Sequence, residues 1–110
     1  MAGRKQYARE YLKRTEDGDT IRVAFDLDRG RVTDFTVQLE CWIDERWRPV
    51  ARYDSAHGQA HRDTLDWAGR VIEKRWLSAD LSFNRAVVFA EQDLLARAAT
   101  YRIDFMRRRR

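Results

Sequence analysis

The segment RYDSAHGQAHRD, residues 52–63, concentrates the residue types that carry out acid–base chemistry. It contains both histidines of the chain, His57 and His61, together with Asp54 and Asp63. An imidazole has an ordinary pKa of about 6.5, so a pair can hold one neutral and one protonated ring near neutral pH. Such a pair can take the proton of a ribose 2′-hydroxyl and protonate the leaving oxygen of a phosphodiester. The segment is therefore a candidate acid–base site of a metal-independent ribonuclease.

Two arginines in the same segment could supply positive charge to that reaction. Arg52 and Arg62 would contact phosphate and stabilise a charged phosphorane, while Asp54 or Asp63 would orient a histidine ring. For this chemistry both imidazoles should be open to solvent and within about one phosphate group of each other.

Two other interpretations of the segment remain open. The histidines and an aspartate could bind a metal ion that activates water, although the H-x-x-x-H spacing is specific only on a helix and Gly58 argues against a helix. Alternatively, the segment is a structural loop in which Asp and Ser side chains cap backbone groups beside a glycine.

The basic residues offer a second candidate site, at the C-terminal end. Lys and Arg outnumber Asp and Glu by 22 to 18, which gives a net charge of +4. Clustered guanidinium groups bind polyanions such as RNA, with release of counterions. The simpler interpretation is a solvated tail that complements the end of a helix. Four consecutive arginines close the chain: Arg107, Arg108, Arg109 and Arg110.

The composition indicates one folded domain. The chain has 110 residues with 44% hydrophobic residues, enough for one core and too few for two. Its single cysteine, Cys41, excludes an intramolecular disulfide and is expected to pack as a small hydrophobic residue. Because no signal peptide or membrane span is recognisable, we expect a cytoplasmic protein with no membrane association. We also expect no cofactor.

Two segments alternate apolar and polar residues with the period of a half-buried strand. In residues 20–27 the apolar set is Ile21, Val23, Phe25 and Leu27, and in residues 34–43 it is Phe35, Val37, Leu39, Cys41 and Ile43. Gly30 lies between them, where a short hairpin needs a positive φ. A third strand follows a turn at residues 44–46, and Pro49 should place it at a sheet edge or at a bulge. A turn at residues 68–70 then predicts a further hairpin.

The last quarter of the chain changes to a helical period. Its apolar positions are 83, 87, 90, 94, 98, 101 and 105, and Ser82 precedes them as a candidate N-cap. The predicted fold is α+β: an antiparallel meander of about five strands over residues 20–77, with a C-terminal helix over 82–106 packed on one face. Residues 1–15 form a basic segment that fits either a strand or a short helix, and 107–110 form a basic tail.

Trp42 falls on the polar side of the second strand, so an open sheet face bearing aromatic residues is one expectation, and such a face would favour RNA. Cover by the N-terminal segment or by a partner is the alternative.

The run RYDSAHGQAHRD, after the strand pair FTVQLECWIDERWRPV and before a hairpin and terminal helix, resembles a family of small uncharacterised prokaryotic proteins. More distantly, it is similar to the TumE-like toxins of toxin–antitoxin systems, which carry an arginine-aspartate-histidine run at a similar place. The resemblance implies an RNA-directed or translation-directed toxin with an antitoxin-type protein partner, and it implies a site at Arg52, Asp54, His57 and His61. The sparser histidines of this chain depart from that pattern.

The leading hypothesis is a small cytosolic RNA-directed protein, with ribonuclease activity carried by His57 and His61. The alternative is a non-catalytic interaction or nucleic-acid-binding module that forms a homodimer, and the third is a metal-dependent phosphodiesterase.

Overall fold

The computed structural model describes residues 5–108, and within them the chain forms one antiparallel sheet and one long helix. The strands run in sheet order β1 to β6, each antiparallel to its neighbours. This confirms the α+β meander with a C-terminal helix packed on it. The described elements are β1 (Arg9–Arg14), β2 (Thr20–Asp28), β3 (Arg31–Ile43), β4 (Arg46–Asp54), β5 (His61–Leu65), β6 (Val71–Trp76) and α1 (Phe83–Arg107).

The sixth strand is β1, which lies in the segment whose structure the sequence left open. All its residues are exposed, so it has no apolar alternation from which a strand could be recognised. Its conformation follows from pairing with β2, where Tyr11 lies opposite Val23. The sheet therefore begins at Arg9 rather than at residue 20.

The two faces of the sheet have different surroundings. The predicted apolar side chains of β3, Cys41 among them, are buried beneath α1, as are Ile21 and Val23 of β2, and Phe25 is partly buried against this core. Leu27 is the exception, at 41% exposure, because it follows a register shift between Asp26 and Leu27. We call the opposite side of the sheet the open face. By strand alternation and register it carries Glu10, Leu12, Arg22, Ala24, Thr36, Gln38, Glu40, Trp42, Arg52, Asp54, His61, Asp63, Lys74 and Trp76.

Helix α1 has the predicted apolar stripe. Six of the seven predicted positions are buried and Phe83 is partly buried against the core. The Ser82 hydroxyl accepts a hydrogen bond from the Arg85 backbone N–H at 3.2 Å, which confirms the N-cap. At the other end, Arg107 is helical and Arg108 is the C-cap. The basic tail thus begins as the end of the helix, and residues 109–110 lie outside the described residues.

The turns explain where the strands stop. Gly30 has a φ of 80°, as the β2–β3 hairpin requires.

Pro49 lies in an interior strand, because β4 pairs with both β3 and β5. It is beside the β3–β4 bulge, and the pairing of β4 with β5 covers only Ala51–Asp54 and so does not include it. A proline without an N–H is therefore tolerated there.

Within residues 5–108, no helix is both long enough and apolar enough to cross a membrane.

Candidate functional site

Residues 52–63 form the end of β4, a short turn and the start of β5. The Asp54 carboxylate accepts a hydrogen bond from the Ala56 backbone N–H at 2.9 Å, and the Gly58 N–H donates to the Ser55 carbonyl at 3.0 Å. His57 lies at the tip, exposed and with a φ of 69°, where a non-glycine residue is uncommon. The segment therefore turns on a backbone hydrogen bond, with the Asp54 side chain as a cap.

Pairing of β4 with β5 brings the chemically active residues together on the open face. Arg52 lies opposite Asp63, and Asp54 lies opposite His61. The next strand places Lys74 opposite Asp63. We call these five residues the Asp–His cluster.

Two carboxylates hold the cluster together. His61 Nε2 lies 3.0 Å from Asp54 Oδ1 and 3.7 Å from Asp63 Oδ2. Lys74 Nζ donates to Asp63 Oδ1 at 2.8 Å. Arg52 is placed between the two acids, with Nε 3.4 Å from Asp54 Oδ2 and Nη2 3.8 Å from Asp63 Oδ2. The Arg52 contacts are ion pairs rather than hydrogen bonds, since its buried Nε has no hydrogen-bond partner.

His61 is enclosed by these groups. Its side chain is 1% exposed, and its ring lies 4.9 Å from the Trp76 ring, centroid to centroid. Nδ1 is 3.1 Å from the Gln59 carbonyl oxygen. Both ring nitrogens therefore lie against protein oxygens that accept hydrogen bonds. The ring is enclosed by these contacts and is not open to solvent.

The two histidines thus have different surroundings: His57 is exposed at the turn and His61 is interior. The structure does not bring the two imidazoles together as a pair that is open to solvent. Their joint role in acid–base catalysis stays a prediction. Asp54, in contrast, is partly exposed beside Arg52.

Among the described residues, Asp54, His61 and Asp63 form a group that could hold a metal ion, with one ligand atom from each within 4.8 Å of the others. His57 is not part of it. Arg52 and Lys74 already neutralise both carboxylates, so a cation would have to displace them. The residue types fit Zn²⁺ or Mn²⁺, whereas the charge balance favours an ion-pair network.

Arg62 is on the other face of the sheet, because it alternates with His61 and Asp63. It is buried, donates to the Tyr101 hydroxyl at 2.9 Å, and pairs with Glu73 at 3.2 Å. The structure therefore separates Arg62 from Arg52.

A groove of about 410 Å³ lies on the open face beside the cluster. Arg52 and Asp54 belong to both the groove and the cluster. Two further cations of the groove are paired: Arg22 with Glu10 at 2.7 Å, and Lys5 with Asp26 at 3.0 Å. The residues that line the groove are Lys5, Tyr7, Arg22, Ala24, Thr36, Gln38, Pro49, Arg52 and Asp54.

Sequence reasoning missed Lys74 and the groove residues Lys5, Tyr7 and Arg22. No local signal indicated Lys74, because the register shifts between Thr64 and Leu65, and a regular continuation of the Leu65–Val71 pair would set Glu73 against Asp63. Lys5 and Tyr7 precede β1, and no local pattern indicated that this segment reaches β3, where the hydroxyls of Tyr7 and Thr36 lie 2.8 Å apart.

Comparison with protein families gives a match over nearly the whole chain. Residues 3–110 match the model of a family described as a domain of unknown function (DUF7718). The chain belongs to this family. No curated protein and no solved structure matches the chain. The family description does not bear on the resemblance to TumE-like toxins, which stays a prediction.

Proposed function

We propose that the protein is RNA-directed and binds a single strand of RNA across the open face. The observation that carries this proposal is the groove beside the Asp–His cluster. Its walls combine three cationic side chains, those of Lys5, Arg22 and Arg52, with hydroxyl and amide groups. This is the combination that holds phosphate while contacting the edges of an unpaired base.

The ion pairs in the groove are compatible with binding of a polyanion. Each cation there lies against a carboxylate, and a phosphate oxygen can replace that carboxylate as acceptor. Arg22 is a clear case: it contacts Glu10 and Glu40 while only about a quarter of its side chain is exposed. We therefore expect RNA to bind by replacing these carboxylates as partners of the cations, rather than by contacting cations that have no partner.

Three tryptophans could stack on bases along this face. Trp42 and Trp76 are each about half exposed, and Trp47 is 38% exposed. The Trp42 and Trp47 rings meet edge to face at 5.4 Å, and the Arg14 guanidinium lies 5.5 Å from the Trp47 ring. Exposed aromatic rings beside arginines bind single strands with little dependence on sequence.

Binding can be tested by fluorescence anisotropy with a labelled single-stranded RNA at several salt concentrations. The double variant Arg22→Gln, Arg52→Gln should weaken binding and reduce the slope of log K against log salt by about 1.4, since each single-strand phosphate contact contributes about 0.7. The matched control is Arg31→Gln, Arg85→Gln, which removes two exposed arginines away from the open face. Equal affinity and slope in all three proteins would contradict the proposal.

Cleavage of the bound strand is a second candidate, favoured by the position of Asp54 and Arg52 in both groove and cluster. Asp54 would take the proton of a ribose 2′-hydroxyl, and the 2′ oxygen would attack phosphorus to form a 2′,3′-cyclic phosphate. The departing 5′ oxygen would take a proton from the exposed His57 imidazolium, and Arg52 would stabilise the phosphorane. His61 would position Asp54.

Cleavage is tested by incubating RNA with the protein in excess chelator, beside Asp54→Asn and His57→Ala variants shown to be folded and to bind RNA. Loss of activity in Asp54→Asn would support the carboxylate mechanism. Activity that is lost in chelator and restored by Zn²⁺ or Mn²⁺ would instead favour a metal at Asp54, His61 and Asp63. Equal, negligible cleavage by all proteins would leave RNA binding as the function.

A further inference from the structure

Strand β6 is an open edge of the sheet. It is last in the sheet order, its six residues are all exposed, and among residues 5–108 it pairs only with β5. Helix α1 packs mainly on β2, β3 and β4, so it does not shield this edge. The other edge, β1, is tied to the helix, because Tyr11 and Lys13 both bind Glu91. The outer edge of β6 therefore offers backbone N–H and C=O groups to a further strand.

The residues of β6 are suited to a second copy of the same strand. Two identical edges pair antiparallel about a two-fold axis perpendicular to the sheet. Opposed residues must then lie on the same face, because side chains alternate. This restricts the registers to those in which some residue lies opposite itself.

One of these registers sets side chains of opposite charge against each other and brings apolar side chains together. With Lys74 opposite Lys74 of the second copy, Glu73 lies opposite Arg75, and this pair occurs twice. Ile72, which has no partner in β5 because the register shifts there, lies at the level of Trp76. The shift that sets Glu73 opposite its own copy would put two carboxylates together. Cross-strand pairs of opposite charge or of large apolar side chains stabilise a sheet, whereas like charges destabilise it.

The contacts within one subunit leave the charged side chains of β6 accessible to a second copy. Among residues 5–108, the Arg75 side chain has no ion-pair or hydrogen-bond partner. Glu73 uses Oε1 toward Arg62, and its other oxygen can accept from Arg75 of the second copy. The central Lys74 is neutralised by Asp63 at 2.8 Å, which reduces repulsion between the two lysines. Ile72 and Trp76 are 48% and 49% exposed and would be covered.

We propose that the protein forms a homodimer through antiparallel pairing of β6 with β6 of a second copy, with Lys74 opposite Lys74. The two sheets join edge to edge, and the two open faces become one continuous surface. This assembly does not depend on RNA binding.

Charge reversal tests the register by analytical ultracentrifugation. The wild-type protein should sediment as a dimer. Arg75→Glu should raise the dimer dissociation constant at least tenfold, because it places two pairs of acids across the interface and disturbs no contact within the subunit. Glu73→Arg should act in the same way. An equimolar mixture of the two single variants should form a heterodimer, since each Glu–Arg pair is restored, and the double variant should dimerise again.

Two controls separate this interface from others. Arg31→Glu reverses an exposed charge away from β6 and should leave the dimer unchanged. Leu95→Arg disrupts an exposed apolar position on α1, and it should also leave the dimer intact. A wild-type protein that remains monomeric, or a dimer that survives Arg75→Glu but not Leu95→Arg, would overturn the proposal. Circular dichroism verifies the fold of each variant. Failure of RNA binding in the anisotropy experiment would leave this result unaffected.

Discussion

The two histidines, four residues apart in the chain, have different structural roles. His61 is interior and contacts Asp54, the Gln59 carbonyl and Trp76. His57 is exposed at a turn. His61 therefore contributes to the folded state, whereas His57 is free to meet a ligand. Any effect of His61 on activity has to be separated from its effect on stability.

We expect His61→Ala to lower the free energy of unfolding by about 3 kcal/mol, because it leaves a cavity and takes a partner from Asp54. His57→Ala should change it by less than about 0.5 kcal/mol, as is usual for an exposed side chain. Urea unfolding followed by tryptophan fluorescence measures both. Similar values for the two variants would show that the His61 contacts are not those described.

At the residue level, the sequence was sufficient to identify residues 52–63 as a candidate site, but it did not determine how this segment folds. Residue types and spacing identified Arg52, Asp54, His61 and Asp63, and pairing of β4 with β5 brings these four together. The residue pattern allowed either an extended chain, with His57 and His61 on one face, or a turn at Gly58 that brings them together. The observed turn at residues 56–58 instead leaves His57 exposed and His61 buried at the start of β5. The hydrogen bonds of Asp54 and Ser55 that form the turn are local, so the residue types allowed this turn, but they allowed an extended chain as well.

Among the elements, α1 was the easiest to predict, because its stripe is long and its first residue follows a capping side chain. Six buried positions at helical spacing leave little alternative to a helix. Strand β1 was the hardest, since an exposed edge strand has no such pattern. Its place is decided by pairing with β2, a long-range contact.

The N-cap of α1 at Ser82 should have a measurable effect on stability. Ser82→Ala should lower the free energy of unfolding by about 1 kcal/mol, because the Arg85 backbone N–H loses its acceptor. Ser82→Asp should retain most of the stability, because aspartate also caps and favours a helix N-terminus. Urea denaturation compares the two, and equal losses in both variants would contradict the role of the Ser82 oxygen.

For the whole molecule, the net charge does not show which cations are available to bind a ligand. The net charge of +4 includes cations on the open face that are already paired, such as Arg22 and Lys74. The totals give an excess of four positive charges, but alternation along the strands and the register between them set acids beside most cations of this face. Ligand binding on this face therefore requires exchange of ion pairs, which a count of charges does not show.

The helix and the sheet are joined by phenol groups that must stay neutral. Asp93 Oδ2 accepts hydrogen bonds from the hydroxyls of Tyr53 at 2.7 Å and Tyr101 at 2.5 Å. Burial first, and then Asp93, raises the pKa of both tyrosines. Burial likewise raises the pKa of the Cys41 thiol to about 12, with Asp19 adding to the effect. The folded state thus favours the protonated form of each group.

The sign of the resulting pH dependence follows from proton binding. In the unfolded chain these groups ionise at about pH 8.5 for cysteine and about 10 for tyrosine. Above those values the folded state holds more protons than the unfolded state, so the free energy of unfolding must fall as pH rises. We expect constant stability up to about pH 8 and a progressive loss above about pH 9, measured by urea denaturation at several pH values. Tyr53→Phe should reduce the steepness of that loss while lowering stability at neutral pH, because one titrating group and one hydrogen bond to Asp93 are removed. A stability that stays constant to pH 11 in the wild-type protein would show that the phenols are not held between α1 and β4 as described.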